Sequence, residues 1–303
     1  MHFVVDSSAR ARLLVRGPDA GAFLHRLSTQ HVIDLKPGEA RLAVLTTDKG
    51  RIKDLVHHVV VALSGAEQPS VLLIGHRAAA AELMAWLDRY LFTEKLVLQD
   101  ATATSRCVDV DGDTAESLVP GSRTLLPWEM KQEGDVVVVR AFDRVTPAGA
   151  PVASYVVVSF GPALPPPTLS FSEDAAMRLA AGIPDVEFSD AFTPLDLDLH
   201  DAIHWNKGCY IGQEVIARLD TYGKQRRHLV GLVVDSTAVK VAEAVVAAGS
   251  PLGTVTSVGP ASWGAGLPNA LAMLKIGTEV SDVVVGAAPG RIVPRQAAQR
   301  PHE

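Results

Sequence analysis

Short runs of apolar and β-branched residues, each closed off by glycine or proline, recur from one end of this chain to the other, and few segments carry helical spacing. A chain punctuated in this way builds several small sheets with helices laid on them. Leu13-Leu14-Val15, Ala43-Val44-Leu45 and Leu55 to Val61 read as strands, and a helix after Pro18-Asp19 carries Phe23, Leu24 and Leu27 on one face. Pro18 suits the start of that helix, where an amide proton has no intrahelical partner. Val71-Leu72-Leu73-Ile74 leads into an alanine-rich helix from about Arg77 to Tyr90, with Leu83, Trp86, Leu87 and Tyr90 on its apolar stripe. Leu96-Val97-Leu98 follows, so strand, helix and strand form a ferredoxin-like layer.

The middle is strand-rich, at Val136 to Val139 and Tyr155 to Phe160, and ends at the stiff connector Pro165-Pro166-Pro167. A helix over Ser172 to Ala181 stops at Gly182-Ile183-Pro184, glycine just past the end and proline two residues on. Beyond Tyr222-Gly223, Val230 to Val234, Gly253 to Val258, Ala270 to Ile276 and Val283 to Val285 read as a small antiparallel barrel or sandwich. The tail from Pro294 to Glu303 is expected to fray.

With 48% hydrophobic and 20% charged residues among 303, the chain has material for two or three folded domains, and disorder is excluded for most of it. A formal net charge of −6 argues against a broad nucleic-acid-binding surface. No apolar run approaches the roughly 18 residues of a membrane helix. Met1 to Asp6 lacks the charged and apolar regions of a signal peptide, so a cytoplasmic location is expected. Cys107 and Cys209 are the only cysteines, too few for a disulfide framework or a cysteine-only zinc site.

The segment densest in chemistry is Trp205-Asn206-Lys207-Gly208-Cys209-Tyr210-Ile211-Gly212-Gln213-Glu214-Val215-Ile216-Ala217-Arg218. Ile211, Val215 and Leu219 lie four apart, which starts a helix near Gly212. Cys209 then precedes a helix N-terminus, with Lys207 two residues away, and both features favour thiolate over thiol. The same residues equally describe a small cysteine packed at a loop–helix junction, and Gln213 and Glu214 suit any helix start. Cys107 sits in a strand-like stretch and reads as a packing residue. His57 and His58 are adjacent in a strand and so face opposite sides, which bars a shared metal. His200 and His204 are four apart near the Cys209 loop, without a recognisable metal motif around them. Lys224, Arg226 and Arg227 read as a solvated basic face or a seat for an acidic partner.

Lys207-Gly208-Cys209-Tyr210-Ile211-Gly212-Gln213-Glu214, followed by Ala217-Arg218, resembles the signature of the YgfZ-type folate-binding proteins. These are relatives of the glycine cleavage T-protein (GcvT, aminomethyltransferase) that help maintain iron–sulfur enzymes. Arg16-Gly17-Pro18-Asp19-Ala20, Arg178-Leu179 with Gly182-Ile183-Pro184, and Thr193-Pro194-Leu195-Asp196 resemble further segments of that superfamily in the same order.

The resemblance implies an α+β fold of three domains in a clover-leaf around a central folate channel, with a C-terminal small β-barrel. The expected division is residues 1–50 plus 165–224, residues 51–164, and residues 225–303. The resemblance also implies tetrahydrofolate as ligand near Asp54, Arg178 and Trp205, iron–sulfur enzymes as clients, and Cys209 in a thiol, redox or transient cluster-contact role.

Two departures separate the chain from aminomethyltransferases. The T-protein's adjacent aspartates become Lys53-Asp54 in Gly50-Arg51-Ile52-Lys53-Asp54-Leu55, and its Arg-Leu-Glu-Ala-Gly becomes Arg178-Leu179-Ala180-Ala181-Gly182. An ammonium supplies neither the negative charge nor the lone pair that a carboxylate offers an amine centre near neutral pH. The expected function is therefore a folate-binding accessory protein for iron–sulfur enzymes, with folate-dependent aminomethyl transfer as the alternative.

Overall fold

A computed structural model describes residues 1–260 and 266–295. Its first layer is a five-stranded antiparallel sheet in the order Ala40–Thr46, Ile52–Val61, Ser70–Gly75, Arg12–Arg16, Val97–Asp100. Strand alternation sorts its residues by face. Leu13, Val15, Ala43, Leu45, Val56 and Leu73 pack under the helices Ala20–Leu27 and Ala80–Asp88, which contribute Phe23, Leu24, Leu27, Leu83, Trp86 and Leu87.

The opposite face meets a second five-stranded sheet, ordered Val4–Asp6, Arg106–Asp111, Ser154–Ser159, Val136–Arg140, Met130–Glu133. Leu14, Val59, Val61, Leu72 and Ile74 of the first sheet pack on Cys107, Val137, Val139, Val156 and Val158 of the second. The boundary expected between residues 50 and 51 lies in the turn between Ala40–Thr46 and Ile52–Val61, which pair as a hairpin. Hydrogen-bonded pairing across that turn carries the first sheet on to Asp100.

Six strands close the C-terminal barrel: Arg227–Val234, Ala270–Lys275, Ser250–Val258, Ala244–Ala247, Asp282–Val285 and Ala288–Val293. Ala244–Ala247 and Ala288–Val293 are additional to the strands read from sequence; the first is short and alanine-containing, and the second is interrupted by Pro289 and Gly290. The mid-chain helix runs Phe171–Ala181, opened by a Ser170/Glu173 capping box and closed by Gly182 in the left-handed region at φ 73°. Leu179, Phe188, Leu197 and Leu199 from this stretch pack with Leu42, Val44 and Leu55 of the first sheet and Leu229, Leu271 and Met273 of the barrel.

The tail is anchored at its start. Buried Arg295 donates from Nε to the Gly182 carbonyl at 2.7 Å and from Nη1 to the Asp198 carboxylate at 3.1 Å. The rest of the tail expected to fray, residues 296–303, lies outside the described residues. No helix among the described residues is long and apolar enough to cross a membrane.

Candidate functional site

Where the first sheet, the loop after Val136–Arg140 and the stretch past the mid-chain helix converge, a cleft of about 50 Å³ opens, lined by Arg10, His76, Asp109, Phe142, Arg144, Arg178, Asp185 and Phe188 among others. His76 directly follows the strand Ser70–Gly75. Its ring centroid lies 5.5 Å from Phe188, 6.2 Å from Phe142 and 5.3 Å from His57, which is fully buried behind it. His57 in turn lies 6.0 Å from Trp128, whose ring packs edge-on against Phe142 at 4.6 Å. Both ring nitrogens of His57 and Nε2 of His76 are buried without a hydrogen-bond partner among the described residues. Burial, reinforced by the nearby Arg10 charge, pulls His57 down to about 3 and His76 well below the ordinary imidazole value. Both rings are therefore neutral at pH 7.

The charge beside them is self-contained. Arg10 donates to both oxygens of Asp109 at 2.9 Å, and Arg144 adds a third guanidinium bond at 2.7 Å while also reaching Asp174 at 2.7 Å. Burial alone would push the Asp109 carboxyl up; the Arg10 and Arg144 charges outweigh it and hold Asp109 below the usual carboxylate range.

The residues expected at a folate site do not meet in one place. Arg178 does line the cleft, with Nη1 donating to the Ile183 carbonyl at 2.6 Å. Asp54 lies on the helix-covered face of its strand, opposite to His57. Its carboxylate accepts from the backbone amides of Leu55, Arg77 and Ala78, so it ties down the approach to the helix Ala80–Asp88. Burial raises its pKa to about 7 against the pull of those amides. Trp205 is 43% exposed, beside His200, and is not among the residues lining the cleft. Lys53 pairs with Glu82 of the second helix, and Ala180 is buried in an apolar cluster with Val145, Ala181 and Ile183.

Sequence reasoning missed His76, Arg10, Asp109, Arg144, Phe142, Phe188, Trp128 and Asp185, because only tertiary folding brings them together. The adjacent pair His57-His58 was a usable signal. The structure separates the two, His58 facing Ser28 Oγ at 3.0 Å on the helix side. His200 and His204 also part, His200 lying beside Trp205 and His204 beside His31.

In the signature segment, Lys207 is buried and its ammonium donates to the carbonyls of His25, Ser28 and Gln30 at 2.6, 2.7 and 2.9 Å. All three donors are thus used on main-chain carbonyls at and just past the end of the helix Ala20–Leu27, not offered to a thiol. Cys209 is exposed, whereas Cys107 is fully buried and burial pushes its thiol up to about 12. Gly208, Glu214 and Arg218 are exposed, and Gln213 accepts from the Tyr210 amide at 3.3 Å.

Gly212, at φ 82°, caps the helix Gln213–Thr221 and presses on the turn at Thr47–Gly50. A Cβ there would lie 2.4 Å from the Thr47 carbonyl oxygen and 2.9 Å from Gly50 Cα. Gly212→Ala is therefore expected to lower stability by about 2–3 kcal/mol through strain and lost docking. Urea titration of the two chains measures it; equal midpoints would show that the contact is dispensable.

Residues 2–132 match the family model described as the GCVT N-terminal domain. A putative chloroplastic transferase of Arabidopsis thaliana is 24% identical over 84% of this chain and 61% of its own length. A mitochondrial iron-sulfur cluster assembly factor IBA57 homolog of Coccidioides immitis is 24% identical over 75% of this chain and 56% of its own. The chain thus spans less than two thirds of either relative. The crystal structure of glycine cleavage system aminomethyltransferase T from Bartonella henselae superposes with a TM-score of 0.73 at 18% identity, covering 98% of this chain and 86% of that one. Two sheets, a mid-chain segment and a six-stranded C-terminal barrel thus form a GcvT-like mixed α/β fold, within which residues 2–132 are similar to the GCVT N-terminal domain.

Proposed function

We propose that the chain is a folate-binding accessory protein for the assembly or repair of iron–sulfur enzymes. The observation that carries this over aminomethyl transfer is the state of the two carboxylate positions: Lys53 is bound to Glu82, and Ala180 is sealed in an apolar cluster. Neither offers a carboxylate to an amine. The name of the Coccidioides relative supports the iron–sulfur link. Aminomethyl transfer is the second reading, favoured by Asp185, a half-buried carboxylate at the cleft.

The residues at the cleft fit a folate. Unpartnered imidazole nitrogens suit a ring that both donates and accepts hydrogen bonds, Phe142 and Phe188 flank it, and Arg178 supplies a cation for a carboxylate tail. The cleft, at about 50 Å³, is well below the roughly 300–1,000 Å³ of ligand pockets, so binding requires the aromatic walls to part. The exposed Cys209 is then the contact with client enzymes.

Calorimetry with tetrahydrofolate should give a saturable heat, and none at millimolar ligand would refute the folate reading. Cys209→Ser should leave stability within about 0.5 kcal/mol, as expected at an exposed site, and leave folate binding intact. The same variant should fail to support an iron–sulfur client enzyme; full support would remove the thiol from the function. Turnover with the aminomethyl-loaded lipoyl carrier protein would establish the transferase reading instead.

A further inference from the structure

We infer that His76, held from behind by His57, reads the hydrogen-bonding edge of a flat, uncharged heteroaromatic ring in the cleft; this rests on the folate reading above and assigns the pterin end of the ligand to His76. His57 has both ring nitrogens, and His76 its Nε2, buried without a hydrogen-bond partner among the described residues. A buried unpaired polar group is destabilising, and most native examples are paired, so an unpaired nitrogen on a residue that lines a cavity calls for a ligand that pairs it. His76 lines the cavity itself. Neutral imidazole offers one donor and one acceptor, the complement of a lactam or aminopyrimidine edge.

The surroundings narrow the class. Phe142, Phe188 and Trp128 supply faces and edges for a planar group, with ring separations from 4.6 to 6.2 Å. Trp128 holds φ at 71°, a conformation that is strained for a bulky residue and is retained most often at binding sites. Arg10 and Arg144 are paired with Asp109 and Asp174, so they leave no free charge for an anionic ring.

The test uses the full chain with three probes under anaerobic calorimetry: tetrahydrofolate, 6-methyltetrahydropterin as the ring alone, and p-aminobenzoylglutamate as the tail alone. His76→Leu should weaken the first two about tenfold or more and leave the third unchanged, while His76→Gln, which keeps a donor and an acceptor, stays within about threefold of the native chain. His57→Leu should act in the same direction. Because Leu removes an unpaired polar atom, the melting temperature should not fall, which separates recognition from collapse of the fold. Native-like pterin binding by His76→Leu overturns the inference, as does tetrahydrofolate binding by a native chain that takes the tail probe and not the ring. A native chain that binds none of the three overturns the folate reading itself.

Discussion

Lowering the pH from 7 towards 4 should destabilise this chain steeply, before its carboxylates are mostly protonated. His57 and His58 are held at about 3 by burial, and burial sets His76 well below its ordinary value. In the unfolded chain each imidazole returns to about 6.5. Their contribution is full above that value and is lost as pH falls below it, because unfolding then takes up three protons that the native state refuses. Asp54 works the other way. Its folded pKa of about 7 lies above its unfolded value, so its contribution is present at low pH and fades as pH rises towards 7.

Between about pH 4 and 6 these three imidazoles and Asp54 leave a balance of three protons minus one, and His25, which burial brings down to about 4, adds to the loss. Two protons correspond to a loss of about 2.7 kcal/mol per pH unit. Over those two pH units the loss is about 5 kcal/mol, which brings a chain at the low end of the usual 5–15 kcal/mol to its acid transition near pH 4 and removes about a third of the stability at the high end. Urea unfolding at several pH values measures the slope, and His57→Leu should flatten it by about one proton, or 1.4 kcal/mol per unit. A flat stability between pH 6.5 and 4.5 would mean that these imidazoles are not held neutral.

Lys207→Met should cost about 2–4 kcal/mol. The ammonium is buried, and burial brings its pKa down to about 8, so it remains mostly charged at pH 7. It pairs with three carbonyls, one in the last turn of the helix Ala20–Leu27 and two just past it. Removing it leaves three acceptors with no donor, each costing about 1–3 kcal/mol less what entering water recovers. Denaturant titration reads the loss. If Lys207 instead served to activate Cys209, Met would slow alkylation of the thiol and leave the unfolding midpoint unmoved.

That contrast shows where sequence reasoning stopped. Periodicity located the helices Ala20–Leu27, Ala80–Asp88 and Phe171–Ala181, and the helix start at Gly212, because each is written in neighbouring residues. The barrel was legible from its glycine- and proline-bounded strands, apart from Ala244–Ala247 and Ala288–Val293. Lys207 was read against Cys209, two residues away, whereas its partners lie as far as 182 positions earlier in the chain. Asp54 gave no sign of which strand face it would occupy, and a one-residue choice of face decides whether a carboxylate meets ligand or backbone amide. The His76 cleft takes its walls from segments near residues 10, 76, 109, 142, 178 and 188, and no local pattern joins them.

The docking of the signature segment also bears on how the chain reaches its native state. Lys207 closes on residues 25–30, and Thr46 Oγ1 donates to the Ile211 carbonyl across 165 positions. The N-terminal sheet is thus synthesised long before the loop that completes it. At roughly 5–20 residues per second, a nascent chain waits on the order of ten seconds with the carbonyls around the end of its first helix uncapped. Closure of so long a loop is entropically late, so the sheet forms first and the signature loop seals it afterwards. In the mature protein the order reverses: the amides around Lys207 and Gly212 should exchange with solvent through openings that leave the strands Arg12–Arg16 and Ile52–Val61 protected.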